Sequence, residues 1–256
     1  MQYWQETWAV AQRILTELLR RRRSLLFWGI FPVTILYLNG LILAERAGIT
    51  AARAFETAAP STLVGAALFF SCLGGSVSTV VAEREQRTLK RLFMSPLRGL
   101  SYFLGIFVAH GCIALGQTLI VFTIAVFSGS SFQGIFLGAA ILFLSVMAYV
   151  GVGFILGTQF ARRTEDVNAL VAAFGVPLLI LGGAFLPTQL FPQGLLEIAQ
   201  FNPVFHMNEA LIGSVAEGKT LEEIGGHFFF LLGFAVGVTG LGWLSYRRML
   251  RVERRL

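Results

Sequence analysis

Charge is what this chain has least of. Only 13% of its 256 residues are Asp, Glu, Lys or Arg, against about 25% in soluble domains. So few charges cannot cover the surface of a water-soluble domain of this size, and that class is excluded first. Cysteine is scarce too: Cys72 and Cys112 each lie inside an apolar run. Two isolated cysteines make neither a disulfide framework nor a metal site, and packing is their expected role. There is no N-x-[ST] acceptor, and the polar, aromatic beginning gives no signal-peptide pattern.

What the chain does have is apolar surface: 55% hydrophobic residues, with 24 Phe and 28 Gly. Glycine at that level suits membrane helices. The formal net charge of +6 arises from short basic clusters between apolar runs. That spacing fits anionic lipid headgroups and points away from nucleic acid.

A helix needs roughly 20 apolar residues to cross a bilayer core. Six stretches qualify as spans: 24–44, 61–82, 101–127, 134–159, 169–186 and 226–246. None of them contains Asp, Glu, Lys or Arg. The fifth is short and runs into FLPTQLFP, which reads as a broken, re-entrant continuation. Connecting segments on one side carry seventeen Lys and Arg, while those on the other carry Arg46, Arg53 and Lys219. The positive-inside rule therefore places both termini in the cytoplasm.

GSVAEGKT, residues 213–220, matches the phosphate-loop pattern letter for letter. Such a loop must follow a β-strand and open a helix so that its N–H groups converge on phosphate. Here it lies in an outer loop of an all-helical chain, and a glycine-bounded turn is expected instead. His206 and Glu209 have i, i+3 spacing, but two ligands without a third do not make a metal site. Ion-coupled transporters use intramembrane carboxylates, and these spans have none. Their polar residues include Asn39, His110, Gln117 and Gln159. His110 and Gln117 share a face of the third span, either bonding a neighbouring helix or touching a substrate. Gly134-x-x-x-Gly138, Gly153-x-x-x-Gly157 and Gly233-x-x-x-Gly237 permit close helix approach.

Two segments outside the spans carry more information. In 2–22, Trp4, Trp8, Ala11, Leu15 and Leu18 form a helical apolar stripe ending in arginines, which predicts an interfacial helix. The 83–99 loop, EREQRTLKRLFMSPLRG, predicts a short helix broken before Pro96. Its ridge of Leu89, Leu92 and Phe93 among basic residues suits docking into a groove on a cytoplasmic partner. Beyond the fifth span, 187–224 reads as an outer loop with two short amphipathic helices, QGLLEIAQ and NEALIG. A pathway is visible, but no engine.

Three features in order resemble the permease subunits of type-2 ABC exporters, nearest the drug and lipid branch. They are the amphipathic helix before span one, an E-R-E-x-G-T-L-x-x-L-x-x-x-P-L pattern after span two, and a Gly, Phe, Pro and Asn-Pro pattern after span five. Arg87 stands where that family has Gly. The resemblance implies one transmembrane domain over 1–256, all-α and polytopic, with six spans, an interfacial helix and re-entrant outer helices. It implies a second permease chain and two separate ATPase subunits carrying ATP and Mg²⁺, with no catalytic or cofactor site in this chain. The 83–98 segment would be the coupling helix, seating Thr88, Leu89, Leu92 and Phe93 in the ATPase. Glu83 and Glu85 would pair with basic groups near the interfacial helix, with Arg20 to Arg23 as the expected partners. Phe69, Phe70, Leu73, His110, Phe174, Pro177 and Leu181 are the candidates for lining a path, with packing as the alternative for each. The implied function is export of a hydrophobic or amphipathic molecule across a bacterial inner membrane. A lipid-modifying membrane enzyme and an assembly scaffold are the competing classes.

Overall fold

The computed structural model describes residues 2–20, 22–86, 97–185, 188 and 191–253. Among them there is no strand, and the helices run in the order α1 Gln2–Arg20, α2 Arg22–Ala47, α3 Ala51–Glu85, α4 Gly99–Phe127, α5 Ile135–Phe160, α6 Thr164–Leu181, α7 Gln193–Ala199, α8 Pro203–Val215 and α9 Gly225–Glu253. Six of these, α2 to α6 and α9, are long and apolar enough to cross a membrane. The chain is an integral membrane protein of all-α class.

The bundle is organised around α3. Its most apolar stretch is 78% buried, against 17% for α2 and for α9. A helix hydrophobic on every side belongs inside other helices, and α2, α4, α5, α6 and α8 surround this one. It begins ten residues before the apolar run at 61, because Thr50 caps it by accepting from the Arg53 N–H. One turn further on, Arg53 donates to Glu56 at 3.0 Å and to the Ala216 carbonyl at 2.8 Å. Pro60 lies inside α3 and supplies no N–H to the ladder. Just beyond it, Leu63–Gly74 winds as a π-helix, and shorter π turns interrupt α5 at Leu156–Phe160 and α6 at Val171–Gly175. Such windings are uncommon and tend to mark functional sites.

Small residues set how closely the helices approach α3. A Cβ on Gly153 would meet the Leu73 carbonyl at 3.1 Å, and one on Gly157 would meet Val80 at 3.1 Å. Gly175 leaves room for the ring of Phe69. By contrast Gly233 and Gly237 have no neighbour within 4 Å. Identical spacing thus marks a tight contact on α5 and open surface on α9.

The end of the bundle away from Glu83 is tied by asparagines. Asn202 caps α8 by accepting from the Val204 N–H at 3.0 Å and donates to the Leu178 carbonyl at 2.7 Å. Asn208 donates to the Gly183 carbonyl at 3.0 Å. The Leu178 carbonyl also accepts the Gly182 N–H at 2.8 Å, so the two asparagine bonds pin α8 to the turn that ends α6. Gly183, at φ +75°, turns the chain there. NEALIG is therefore no short amphipathic helix. It is the end of the 13-residue α8, which is buried on nearly every side among α3, α5 and α9.

Gly157→Leu is expected to lower stability by about 1–3 kcal/mol through overpacking against α3. Gly237→Leu is expected to leave it unchanged. Thermal unfolding of both variants in the same detergent checks the contrast.

Candidate functional site

The last turn of α3 holds the densest set of polar contacts between helices. Glu83, Arg84 and Glu85 belong to this helix rather than to the loop after it. On an α-helix, three consecutive residues point about 100° apart, so they reach three different neighbours. Each does so here.

Glu83 is only 5% exposed. One carboxylate oxygen accepts from Arg13 of α1 and the other from the Tyr102 hydroxyl of α4. The Tyr102 ring in turn stacks on Tyr246 of α9, with centroids 5.4 Å apart. A charge this deeply buried is tolerable only when paired and hydrogen-bonded, as this one is. Arg84 sends a guanidinium nitrogen to the Gly157 and Ala161 carbonyls at 3.0 and 3.2 Å. Those carbonyls end α5, where a cation complements the helix dipole. Glu85 accepts from the backbone N–H of Thr164 at 3.2 Å and from its hydroxyl, at the N-terminus of α6. There a carboxylate complements the opposite dipole end. Three successive side chains thus fasten α3 to α1, α4, α5 and α6.

The far end of the same connection is also held. Glu6 of α1 accepts from the Arg98 N–H at 3.3 Å and from the Ser101 hydroxyl at 2.7 Å, capping α4. The Arg98 guanidinium lies 3.9 Å from the centroid of Tyr3. Both ends of the 86–98 segment are therefore attached to α1. Packing fixes α1 in place: its buried face is Thr7, Val10, Ala11, Ile14 and Leu18. Gly105 of α4 admits Val10, since a Cβ there would lie 2.6 Å from it. Trp4 and Trp8, read in the sequence as part of the same stripe, remain 65% and 49% exposed.

The sequence pointed to Arg20–Arg23 as partners of the acidic pair. The structure gives Arg13 to Glu83 and Thr164 to Glu85. Thr88, Leu89, Leu92 and Phe93 lie outside the described residues. Arg13, Tyr102, Glu6 and Thr164 were not singled out. Arg13 gave no local signal, since Glu6, Glu17 and Arg20 share its side of α1 at helical spacing.

The residues considered for a path are dispersed. Phe69 and Leu73 are buried, Phe69 against Tyr149 at 5.8 Å and 85°. Phe70 is half-buried, edge-on to Phe27 and Phe31 of α2. His110 is fully buried, and among the described residues neither ring nitrogen has a hydrogen-bond partner within normal geometry. Its neighbourhood is polar: Ser71 donates to Gln117 at 2.6 Å, and Gln117 donates to the Trp28 carbonyl at 2.9 Å. Pro177 faces outward, Leu181 is half-buried, and the Phe174 side chain is outside the described residues.

Two sequence matches resolve into local structure. GSVAEGKT begins inside the last turn of α8, at Gly213, and no strand precedes it among the described residues. Its Lys219 N–H is taken by the Gly213 carbonyl at 2.8 Å, and the Lys219 ammonium by Glu217 at 2.6 Å. Thr220 donates its N–H and hydroxyl to Glu223 at 2.7 and 2.9 Å. His206 meets His227 at 3.0 Å between Nδ1 atoms, while Glu209 accepts from Thr188 at 2.8 Å. Burial pushes the Glu209 carboxyl up and the His206 imidazole down from their ordinary values. Among the described residues no three ligands converge as a metal would require.

Six apolar spans with a charged knot at one end of the central helix define a polytopic membrane protein. The chain belongs to the ABC-2 family of transporter proteins, whose description "ABC-2 family transporter protein" matches residues 50–244. It is similar to the probable multidrug ABC transporter permease YbhR of Escherichia coli strain K12, at 26% identity over 174 residues. The YbhR of E. coli O157:H7 gives the same identity. The matched region covers 66% of this chain and 46% of each relative, so the chain spans about half the length of the curated relatives it matches.

A glutamine at position 83 carries no charge and offers one acceptor oxygen where Arg13 and Tyr102 now have two. Glu83→Gln is expected to destabilise by about 2 kcal/mol, since hydrogen bonds to charged groups contribute about 1.5–3 kcal/mol. A double-mutant cycle with Arg13→Gln should give a coupling of about 1–3 kcal/mol. A coupling near zero in detergent unfolding experiments would mean that the contact does not hold α1 to α3.

Proposed function

We propose that this chain is the permease subunit of an ATP-driven exporter, with ATP hydrolysis on two separate ATPase subunits that dock at the 83–98 segment. The observation that carries this reading is the fastening of both ends of that segment. A push on 86–98 reaches α3, α4, α5 and α6 through Glu83, Arg84 and Glu85, and reaches α1 through Glu6 and Arg13. A connection anchored in this way transmits force to the spans instead of absorbing it as loop motion.

In this reading Thr88, Leu89, Leu92 and Phe93 seat in the ATPase, and Glu83 and Glu85 pass the motion on. Two such chains, identical or different, form the full twelve-span path in a bacterial inner membrane, with both termini in the cytoplasm. Span α3 with α6, α7 and α8 lines and gates that path, and α7 and α8 form its outer, re-entrant side. Phe69, Phe70, Leu73, His110, Phe174, Pro177 and Leu181 are the proposed positions along it. The substrate class is hydrophobic or amphipathic, a drug, lipid or glycoconjugate. The absence of Asp and Glu from the six apolar runs, 61–82 of α3 among them, supports this reading over ion coupling, and the multidrug name of the E. coli relatives supports the substrate class.

Purification of the tagged chain from native membranes tests the partner. An ATP-binding-cassette subunit is expected in equal amount, and it should be lost when Leu89 and Leu92 become Asp. A chain that stays alone under conditions preserving other membrane complexes would instead favour a membrane enzyme or scaffold. In the reconstituted complex, Glu85→Lys is expected to leave ATP hydrolysis running while transport falls at least tenfold. Lys219→Ala should change neither activity, and a hydrolysis-dead Lys219 variant would reinstate GSVAEGKT as a nucleotide site.

A further inference from the structure

Between α4 and α5 lies a groove of about 1060 Å³ lined by none of the positions proposed along the path. It is at the upper end of the range for small-molecule sites, about 300–1,000 Å³. One wall is a stripe of α4 through Leu104, Val108 and Gly111, and the other is the Gly138 and Ala139 face of α5. Its floor reaches Leu68 of the central helix, which is fully buried. Such depth separates it from the shallow relief that any membrane helix pair offers to bulk lipid.

Two arginines flank one end of the groove without lining it. Trp4 lines its arginine-rich end, and the neighbouring Tyr3 carries the exposed Arg98 guanidinium 3.9 Å from its ring centroid. Phe103 lines the same end and packs on Trp243 at 5.2 Å, above which sits the exposed Arg247, 6.0 Å from the ring. Stacking on an aromatic ring holds a guanidinium in place while leaving its donors free for an anion. Neither arginine has an ion pair among the described residues. An apolar cleft ending at two positioned cations is complementary to one anionic amphiphile. A second copy of this chain in the groove would bring its own arginine clusters to the same mouth, where like charges repel.

We propose that the α4–α5 groove binds one anionic phospholipid, its acyl chain lying along Leu104, Val108 and Gly111 and its phosphate meeting Arg98 and Arg247. A bound lipid of this kind fixes α4 relative to α5, so it sets the resting position of the helix that begins at the coupling segment.

Gly111 gives a clean test, because it lines the groove and a Cβ added there meets nothing within 4 Å. The purified full-length protein is titrated with palmitoyl-oleoyl phosphatidylglycerol or with palmitoyl-oleoyl phosphatidylcholine, and bound lipid is counted by native mass spectrometry. The wild type is expected to retain one phosphatidylglycerol in preference to phosphatidylcholine. Each of Arg98→Gln and Arg247→Gln should weaken that preference about fivefold, the value of roughly 1 kcal/mol per basic residue near an anionic headgroup. Gly111→Phe should remove the retained lipid while the unfolding temperature of the lipid-free protein stays unchanged. Equal retention by Gly111→Phe and wild type overturns the proposal, as does equal retention of the two lipids by the wild type. Loss of a dimer mass in Gly111→Phe, with lipid retention intact, also overturns it and assigns the groove to a second copy.

Discussion

A carboxylate buried at the end of an apolar helix dictates most of what surrounds it. Glu83 is 5% exposed and ionisable, and leaving it without partners in such a place would disfavour the whole bundle. Arg13 and Tyr102 supply the counter-charge and the hydrogen bond, so α1 and α4 must meet α3 at this level. Once they do, the positions of Glu6, Ser101 and Arg98 follow, because α1 runs along the start of α4. The neighbouring Arg84 and Glu85 extend the same logic to α5 and α6. They use the opposite dipole ends of those two helices rather than ionised side chains. The knot therefore joins five helices around one ion pair.

The rest of the bundle follows the rule that polar groups away from water need internal partners. Asn202 and Asn208 close the carbonyl end of α6, and Gln117 joins Ser71 of α3 to the backbone of α2. Glycine does the complementary work at Gly153, Gly157 and Gly175, where backbone or ring approaches too closely for a side chain. Apolar packing, unlike these contacts, cannot decide how helices are rotated about their own axes, because lipid tails are as apolar as leucine.

Much of this was legible in the sequence. Uncharged runs of bilayer length gave all six spans, and the acidic pair after span two drew notice by standing next to one. What stayed hidden were partnerships across long separations. Nothing local connects Arg13 with Glu83, seventy residues away, while the conspicuous run at Arg20–Arg23 attracts attention by its density alone. The start of α3 was misplaced because Arg53 and Glu56 look like loop residues until they bond each other and the α8 end. Burial of α8 on nearly all sides was masked by His206, Asn208 and Glu209, polar residues whose partners lie on other elements. Apolar period reveals which stretches are helices and says little about where a polar side chain finds its mate.

Three adjacent residues carry the knot, and this makes the length of α3 a quantity under constraint. Deleting or inserting one residue between Gly75 and Glu83 would turn the three by about 100° around the helix axis and shift them about 1.5 Å along it. Every attachment would be lost together, and no conservative replacement elsewhere would restore them. Sequence drift on the outward faces of α2 and α9 meets no such barrier. Homologous chains should therefore differ freely in composition along those spans while keeping a fixed residue count from the π-wound segment of α3 to its charged end.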